Sequence, residues 1–261
     1  MAIKFYGRVI DQHGNPVAGA KVGVSLLRWR ILDAGGEYHE FTTDSEGYFA
    51  IKGISGQVLT IRKIEKDGYE IIGENQNSQT FRVEGIRKNK SSPYVFQAWK
   101  KTEAEPLVYN DVLIGFSPDG QSYAIDLIKP KKVLNGNSGD IRVRFKRPLN
   151  TNRADWSVVI EGLGGGLVET NDVHMNQAPE SGYQPVWNFE MKKDNSKFRF
   201  EVNKKFYLKS REGRCFGRLE LVITPFYNDR SVIDAKYWIN PNGSRNLQYD
   251  PSKRIPLKSE R

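Results

Sequence analysis

Apolar and polar residues alternate along this chain in short bursts, and no segment of ten or more residues keeps a clean 3.6-residue period. Alternation with period two sends successive side chains to opposite faces of a strand, so it selects half-buried β-sheet over helix. Val22 and Val24, Phe49 and Ile51, and Leu59 and Ile61 are such pairs. Between bursts come His13-Gly14-Asn15-Pro16, Ser45-Glu46-Gly47 and Lys66-Asp67-Gly68. Asp and Asn bond their own backbone in such turns, and glycine takes positive φ without a Cβ clash. In the second half Ile141, Val143 and Phe145 share a parity opposite Arg142, Arg144 and Lys146. Trp156, Val158 and Ile160 share another, as do Phe198, Phe200 and Val202, and Leu219–Ile223 is the most apolar burst, expected at a sheet centre.

The expectation is an all-β chain, and 261 residues suffice for two cores. Lys100–Pro106, charged and ended by proline, reads as a linker. It separates a β-sandwich over 1–99 from a second over 107–250, jelly-roll-like or immunoglobulin-like. A tail over 251–261 is expected to be partly disordered. Gly162–Gly166 reads as a flexible hairpin or bulge and Asn176–Gly182 as a long loop.

A net charge of +9 and a pI near 9.4 raise the question of an anionic partner. The 40 basic and 31 acidic residues are interspersed, and the densest run, Lys129-Pro130-Lys131-Lys132, is short and loop-like. That distribution argues against nucleic acid. The single Cys215 excludes an intrachain disulfide and shares parity with Leu219, Leu221 and Ile223, which makes it a buried, inert thiol. No apolar run approaches the ~20 residues of a membrane-spanning helix. Met1-Ala2 leads directly into strand-like Ile3–Tyr6, as in a cytosolic chain or a mature segment whose export signal has been removed.

No P-loop, strand-following GxGxxG or GxSxG elbow is present. His13, His39 and His174 are scattered, and with Cys215 they form too small a pool for a zinc site. The reading is therefore of no catalytic residue, no metal and no cofactor. Calcium is left as an unsupported option at Asn135–Asp140 and Asn150–Asp155, where ordinary turn chemistry also explains the residues. Asp172 and Glu190 could form a glycosidase pair, with nothing to choose them over other carboxylates.

Three motifs occur in order: Gly7-x-Val9-x-Asp11-x-x-Gly14-x-Pro16-Val17-x-Gly19-Ala20-x-Val22-x-Val24, then Thr43-Asp44-x-x-Gly47-Tyr48-Phe49-x-Ile51-x-x-Ile54, then Leu59-x-Ile61 with Asp67-Gly68-Tyr69. Together they resemble carboxypeptidase regulatory-like domains over about residues 5–98, with Val58 where that family more often has Tyr. The resemblance implies a transthyretin-like (prealbumin-type) Greek-key sandwich that is itself non-catalytic and accompanies other domains in exported bacterial proteins. Ala178–Tyr183, Phe206–Arg211 and Tyr237–Ser244 resemble segments of uncharacterised bacterial proteins and carry no role across.

Five Trp, 12 Tyr and 13 Phe then become the candidates for contact. Tyr183 and Trp187 flank Gln184-Pro185, and Tyr237-Trp238 precedes Asn240-Pro241-Asn242-Gly243. Aromatic rings stack on the C–H face of a pyranose while amides bond its hydroxyls, so Tyr183, Trp187, Tyr237, Trp238 and Asn240 form the expected ligand-binding set. Trp156 is read as core, and Trp29 as a loop or edge residue able to meet a partner. The function expected is a non-catalytic exported module, secreted, periplasmic or on the cell surface, that contacts polysaccharide or another surface protein. The alternatives are a structural part of a surface assembly and a carboxylate-based glycoside hydrolase.

Overall fold

The computed structural model describes residues 2–29, 34–71, 79–86, 89–151 and 153–257, with the backbone alone for Arg28, Trp29, Ala34, Gly35 and Ile71. The contact role considered for Trp29 thus lies outside the described side chains. The chain is all-β, with four sheets packed as sandwiches. It divides into two compact units, Met1–Thr102 and Glu103–Arg261.

The first unit carries β1 (Phe5–Ile10), β2 (Lys21–Trp29), β3 (Ala34–Thr42), β4 (Tyr48–Ile51), β5 (Val58–Glu65), β6 (Tyr69–Ile71), β7 (Gln79–Arg82) and β8 (Tyr94–Lys100). One sheet runs β4-β1-β8-β6 and the other β3-β2-β5-β7, with β1 antiparallel to β4 and parallel to β8. The alternating sets read from the sequence meet in one core that buries Val22, Val24, Phe49, Ile51, Leu59 and Ile61. The motif residues between them are hydrogen-bonding devices. Asp11 Oδ1 accepts the N–H groups of His13 and Asn15, both at 2.9 Å. Asp44 Oδ1 does the same for Glu46 and Tyr48 at 3.0 and 2.8 Å. The buried Thr43 hydroxyl accepts from Ala20 N–H (2.8 Å) and donates to the Val17 carbonyl (2.7 Å), which locks the end of β3 to the entry of β2. Gly7 lies against the Phe49 ring, where a Cβ would stand 2.2 Å from the nearest ring carbon.

The second unit carries β9 (Val108–Phe116), β10 (Asp119–Asp126), β11 (Lys131–Leu134), β12 (Ile141–Lys146), β13 (Trp156–Gly162), β14 (Gly166–Glu169), β15 (Val186–Met191), β16 (Val202–Ser210), β17 (Cys215–Tyr227) and β18 (Arg230–Asn240). Its sheets run β11-β10-β12-β13-β15 and β14-β16-β17-β18-β9. β17, which holds Leu219–Ile223, occupies the centre of its sheet as its apolar run requires. Val143, Phe145, Trp156, Val158 and Ile160 from one sheet share a core with Phe206, Leu219, Leu221, Ile223 and Tyr237 from the other. Cys215 joins them, and burial raises its thiol pKa.

Several expectations are corrected. Phe198 and Phe200 are not on a strand: β16 begins at Val202, and Phe200 is 51% exposed. Lys131 and Lys132 belong to β11 rather than to a loop, and Lys132 Nζ donates to the Gly115 carbonyl. Gly162–Gly166 does not close a hairpin but carries the chain from one sheet to the other. Close approach explains its glycines, because a Cβ on Gly165 would stand 2.1 Å from the Lys209 carbonyl oxygen. The linker is not free, since Glu105 accepts from Asn240 Nδ2 (2.9 Å) and from the Ser244 hydroxyl (2.7 Å). Nor is the start of the tail disordered: Pro251–Lys253 form a 3-10 turn and Ile255 N–H bonds the Leu107 carbonyl at 2.8 Å.

Gly7→Ala must displace the Phe49 ring and is expected to destabilise the first unit by about 1–3 kcal/mol, measured as a lowered urea midpoint with unchanged m-value. An unaltered midpoint would contradict the packing of ring on backbone.

Candidate binding cleft

The five sequence-nominated residues do not form one surface. Tyr237 is 1% exposed in the core, and its hydroxyl accepts from Asn110 Nδ2 at 3.1 Å. Asn240 is fully buried, donating to Glu105 and to the Asn246 carbonyl and accepting from Asn242 N–H at 3.0 Å. Both are structural, because their polar atoms are consumed inside the fold. Trp238 lies on the outer sheet face beneath the Arg218 guanidinium (4.2 Å), beside Tyr109 (5.2 Å) and Tyr249 (6.3 Å). It pins the 241–257 segment rather than presenting a free ring. Tyr183 packs on Phe216, donates to the Pro179 carbonyl at 3.0 Å, and burial pushes its phenol up to about 12. Trp187 is half-buried on the sheet-edge strand β15 and donates Nε1–H to Glu169 (2.8 Å) across to β14 of the opposite sheet.

The two ends of the second sandwich differ in kind. At one end of this sandwich Asp140 has no exposed surface. Its carboxylate accepts from Arg211 Nε (2.8 Å) and Nη2 (2.9 Å), the Ser210 hydroxyl (2.7 Å) and Leu127 N–H (2.8 Å). Arg211 Nη2 also reaches Asp126 at 2.7 Å. To aim its guanidinium there, Arg211 takes φ 52 and its neighbour Glu212 φ 60, a region that side chains rarely occupy. Asp140 is thereby committed, which removes Asn135–Asp140 from consideration as a cation loop. Among the described residues no three His, Cys, Asp or Glu side chains converge as a metal site.

At the opposite end Pro118, Arg147, Pro148, Asp155 and Lys192, at the ends of strands, border an open cleft of about 530 Å³, within the roughly 300–1,000 Å³ of small-ligand sites. Strand register builds its floor. Asp119 pairs with Lys146, Lys146 with Ser157 and Ser157 with Glu190, so four polar residues form one row across β10, β12, β13 and β15. Asp155, Lys192, Arg147 and Trp156 complete the lining. Arg147 is buried and bonds only carbonyl oxygens, those of Pro225, Pro148, Asn228 and Arg230, at 2.6 to 3.0 Å. Burial lowers its pKa, although the charge of Asp229 opposes the shift. Pro225 tolerates a central strand because the β17–β18 register slips there.

The guanidinium of Arg147 also stacks on Phe226 at 5.0 Å. Phe226 belongs to a trio with Phe198 (6.4 Å) and Phe200 (6.1 Å), and Arg153 covers Phe198 at 4.6 Å. The sequence assigned two of these rings to a strand interior, and nothing in its pattern signalled Phe226. What the fold brings together is a floor of mixed charge and, through Arg147, a neighbouring aromatic trio.

The polar groups divide into committed and free. Asp155 accepts from Lys193 N–H (2.8 Å) and Lys192 Nζ (3.2 Å), and Asp119 from Gln121 N–H (2.9 Å) and the Ser117 hydroxyl (2.9 Å). Those bonds hold both carboxyls below their usual range. Lys146, Ser157 and Glu190 have no side-chain partner among the described residues. Trp156 is 3% exposed, and its indole N–H has no acceptor there, a situation that ordinarily costs about 1–3 kcal/mol. A hydrolase pair would need a carboxyl raised in pKa to act as acid. Among the described residues the carboxyls with displaced values, Asp11, Asp119, Asp155, Glu169 and Asp250, all move downwards. Asp172 and Glu190 are not brought together as a pair. Asp172 accepts the Tyr207 hydroxyl at 2.5 Å beside the β14–β16 sheet, while Glu190 stands on β15 in the other.

Compared with known protein families, curated proteins and solved structures, the chain finds no match.

Asp140→Asn removes the charge that faces Arg211 and is expected to cost about 3 kcal/mol, read from urea unfolding; a loss under ~0.5 kcal/mol would contradict the bonding described for Asp140. A carboxyl-carbon NMR titration should place Asp119 and Asp155 below the ordinary ~3.9. Being depressed, they contribute stability that is complete above the unfolded value and lost as pH falls through the folded one. A midpoint above ~4 for either would contradict the bonding described.

Proposed function

We propose that the chain is a non-catalytic, exported binding protein whose second sandwich holds a carbohydrate or cell-surface polymer at its 147–155 and 192–201 end. The observation that carries this reading is the open cleft whose floor bears free donors and acceptors, and whose Arg147 stacks on the Phe226 ring of the neighbouring phenylalanine trio. Sugars are bound by that combination, since aromatic faces meet C–H groups and polar side chains meet hydroxyls. The likeness of residues 5–98 to an accessory module supports the same reading, with the first sandwich as carrier and the second as reader.

Affinity electrophoresis through gels containing soluble polysaccharides tests it. Retardation by at least one polymer is expected, and Phe200→Ala should weaken it about five- to thirtyfold while leaving the unfolding free energy within about 0.5 kcal/mol. Failure of every polymer to retard the protein would refute the reading.

A further inference from the structure

We infer that the cleft selects a neutral glycan chain rather than an anionic one, with Lys146, Ser157 and Glu190 as the groups that read its hydroxyls. The inference rests on the polymer-binding reading above. The whole chain carries +9, which taken alone points to an anionic partner. The cleft does not share that bias: Asp119, Asp155 and Glu190 offset Lys146, Arg147 and Lys192. The cations closest to serving an anion are already occupied, Arg147 by four carbonyls and Lys192 by Asp155. What remains free is one ammonium, one hydroxyl and one carboxylate in a single transverse row, on strands about 4.8 Å apart. A hydroxyl both donates and accepts, so a run of sugar hydroxyls can satisfy that row with no net charge. An anionic chain would meet Glu190 and Asp119 with like charge.

The test compares hydroxyethylcellulose, laminarin and xyloglucan with alginate and polygalacturonate, using the whole chain at about 0.05 and 0.5 M salt, where screening lengths differ roughly threefold. The expected result is binding to a neutral polymer whose affinity changes less than about twofold with salt. Glu190→Gln and Ser157→Ala, on exposed and half-buried strand faces, should each weaken it about fivefold or more at wild-type unfolding midpoints. Binding confined to alginate or polygalacturonate and abolished by salt would overturn the neutral-glycan inference and leave the polymer reading standing. Neutral binding undiminished in both Glu190→Gln and Ser157→Ala would overturn the placement on this row. No binding to either class would remove both readings together.

Discussion

The Asp140–Arg211 pair is the interaction on which the second sandwich depends. Two sheets attract each other through side chains that have no directional preference, so burial alone does not fix one sheet against the other. A carboxylate held by four donors, from the end of β10 and from the β16–β17 turn, does so at one end. The backbone of Asp140 adds to it by accepting from Leu163 N–H at 2.9 Å, which draws in the glycine crossing between β13 and β14. The left-handed Arg211 and Glu212 show that backbone strain is tolerated to keep this geometry.

With one end fixed, the other is assembled differently. Arg147 ties β12 to the β17–β18 hairpin through main-chain oxygens and supports Phe226 with its face. Lys132 does a related task at the side of the sandwich, where it lies over Phe116 and Tyr123 while bonding the Gly115 carbonyl. Burial lowers its pKa, and the charge of Arg230 adds to the shift. The molecule thus spends basic residues on seams and hairpins. The formal charge of the chain is therefore a poor guide to the chemistry of its cleft.

Much of the architecture was legible before any coordinates. Period-two alternation identified the core faces of β2, β4, β5, β12 and β13, because a strand has only two faces and burial chooses one. It failed at Phe198 and Phe200, where an alternating pair falls in a loop and packs on a third ring from the distant β17 hairpin. Tyr237-Trp238-Asn240 misled for the converse reason: residues beside a polar turn read as exposed, yet Tyr237 faces the inter-sheet core and the 241–257 segment folds back over Trp238 and Asn240. The cleft floor was the least legible part. Lys146 was correctly placed facing out, but its neighbours Asp119, Ser157 and Glu190 are set by strand order and register, which short-range pattern does not encode.

The bonding of Arg147 has a consequence for how this domain could diversify. Its hydrogen-bond partners are peptide oxygens, present whatever side chains occupy those positions. Residues 227–230 are therefore released from conserving any side chain for the sake of the clamp, provided the turn keeps its course and Asn228 or glycine supplies the positive φ. A turn clamped through its main chain is a cassette: the exposed side chains of residues 227–230 can drift or be grafted with the Arg147 clamp left in place.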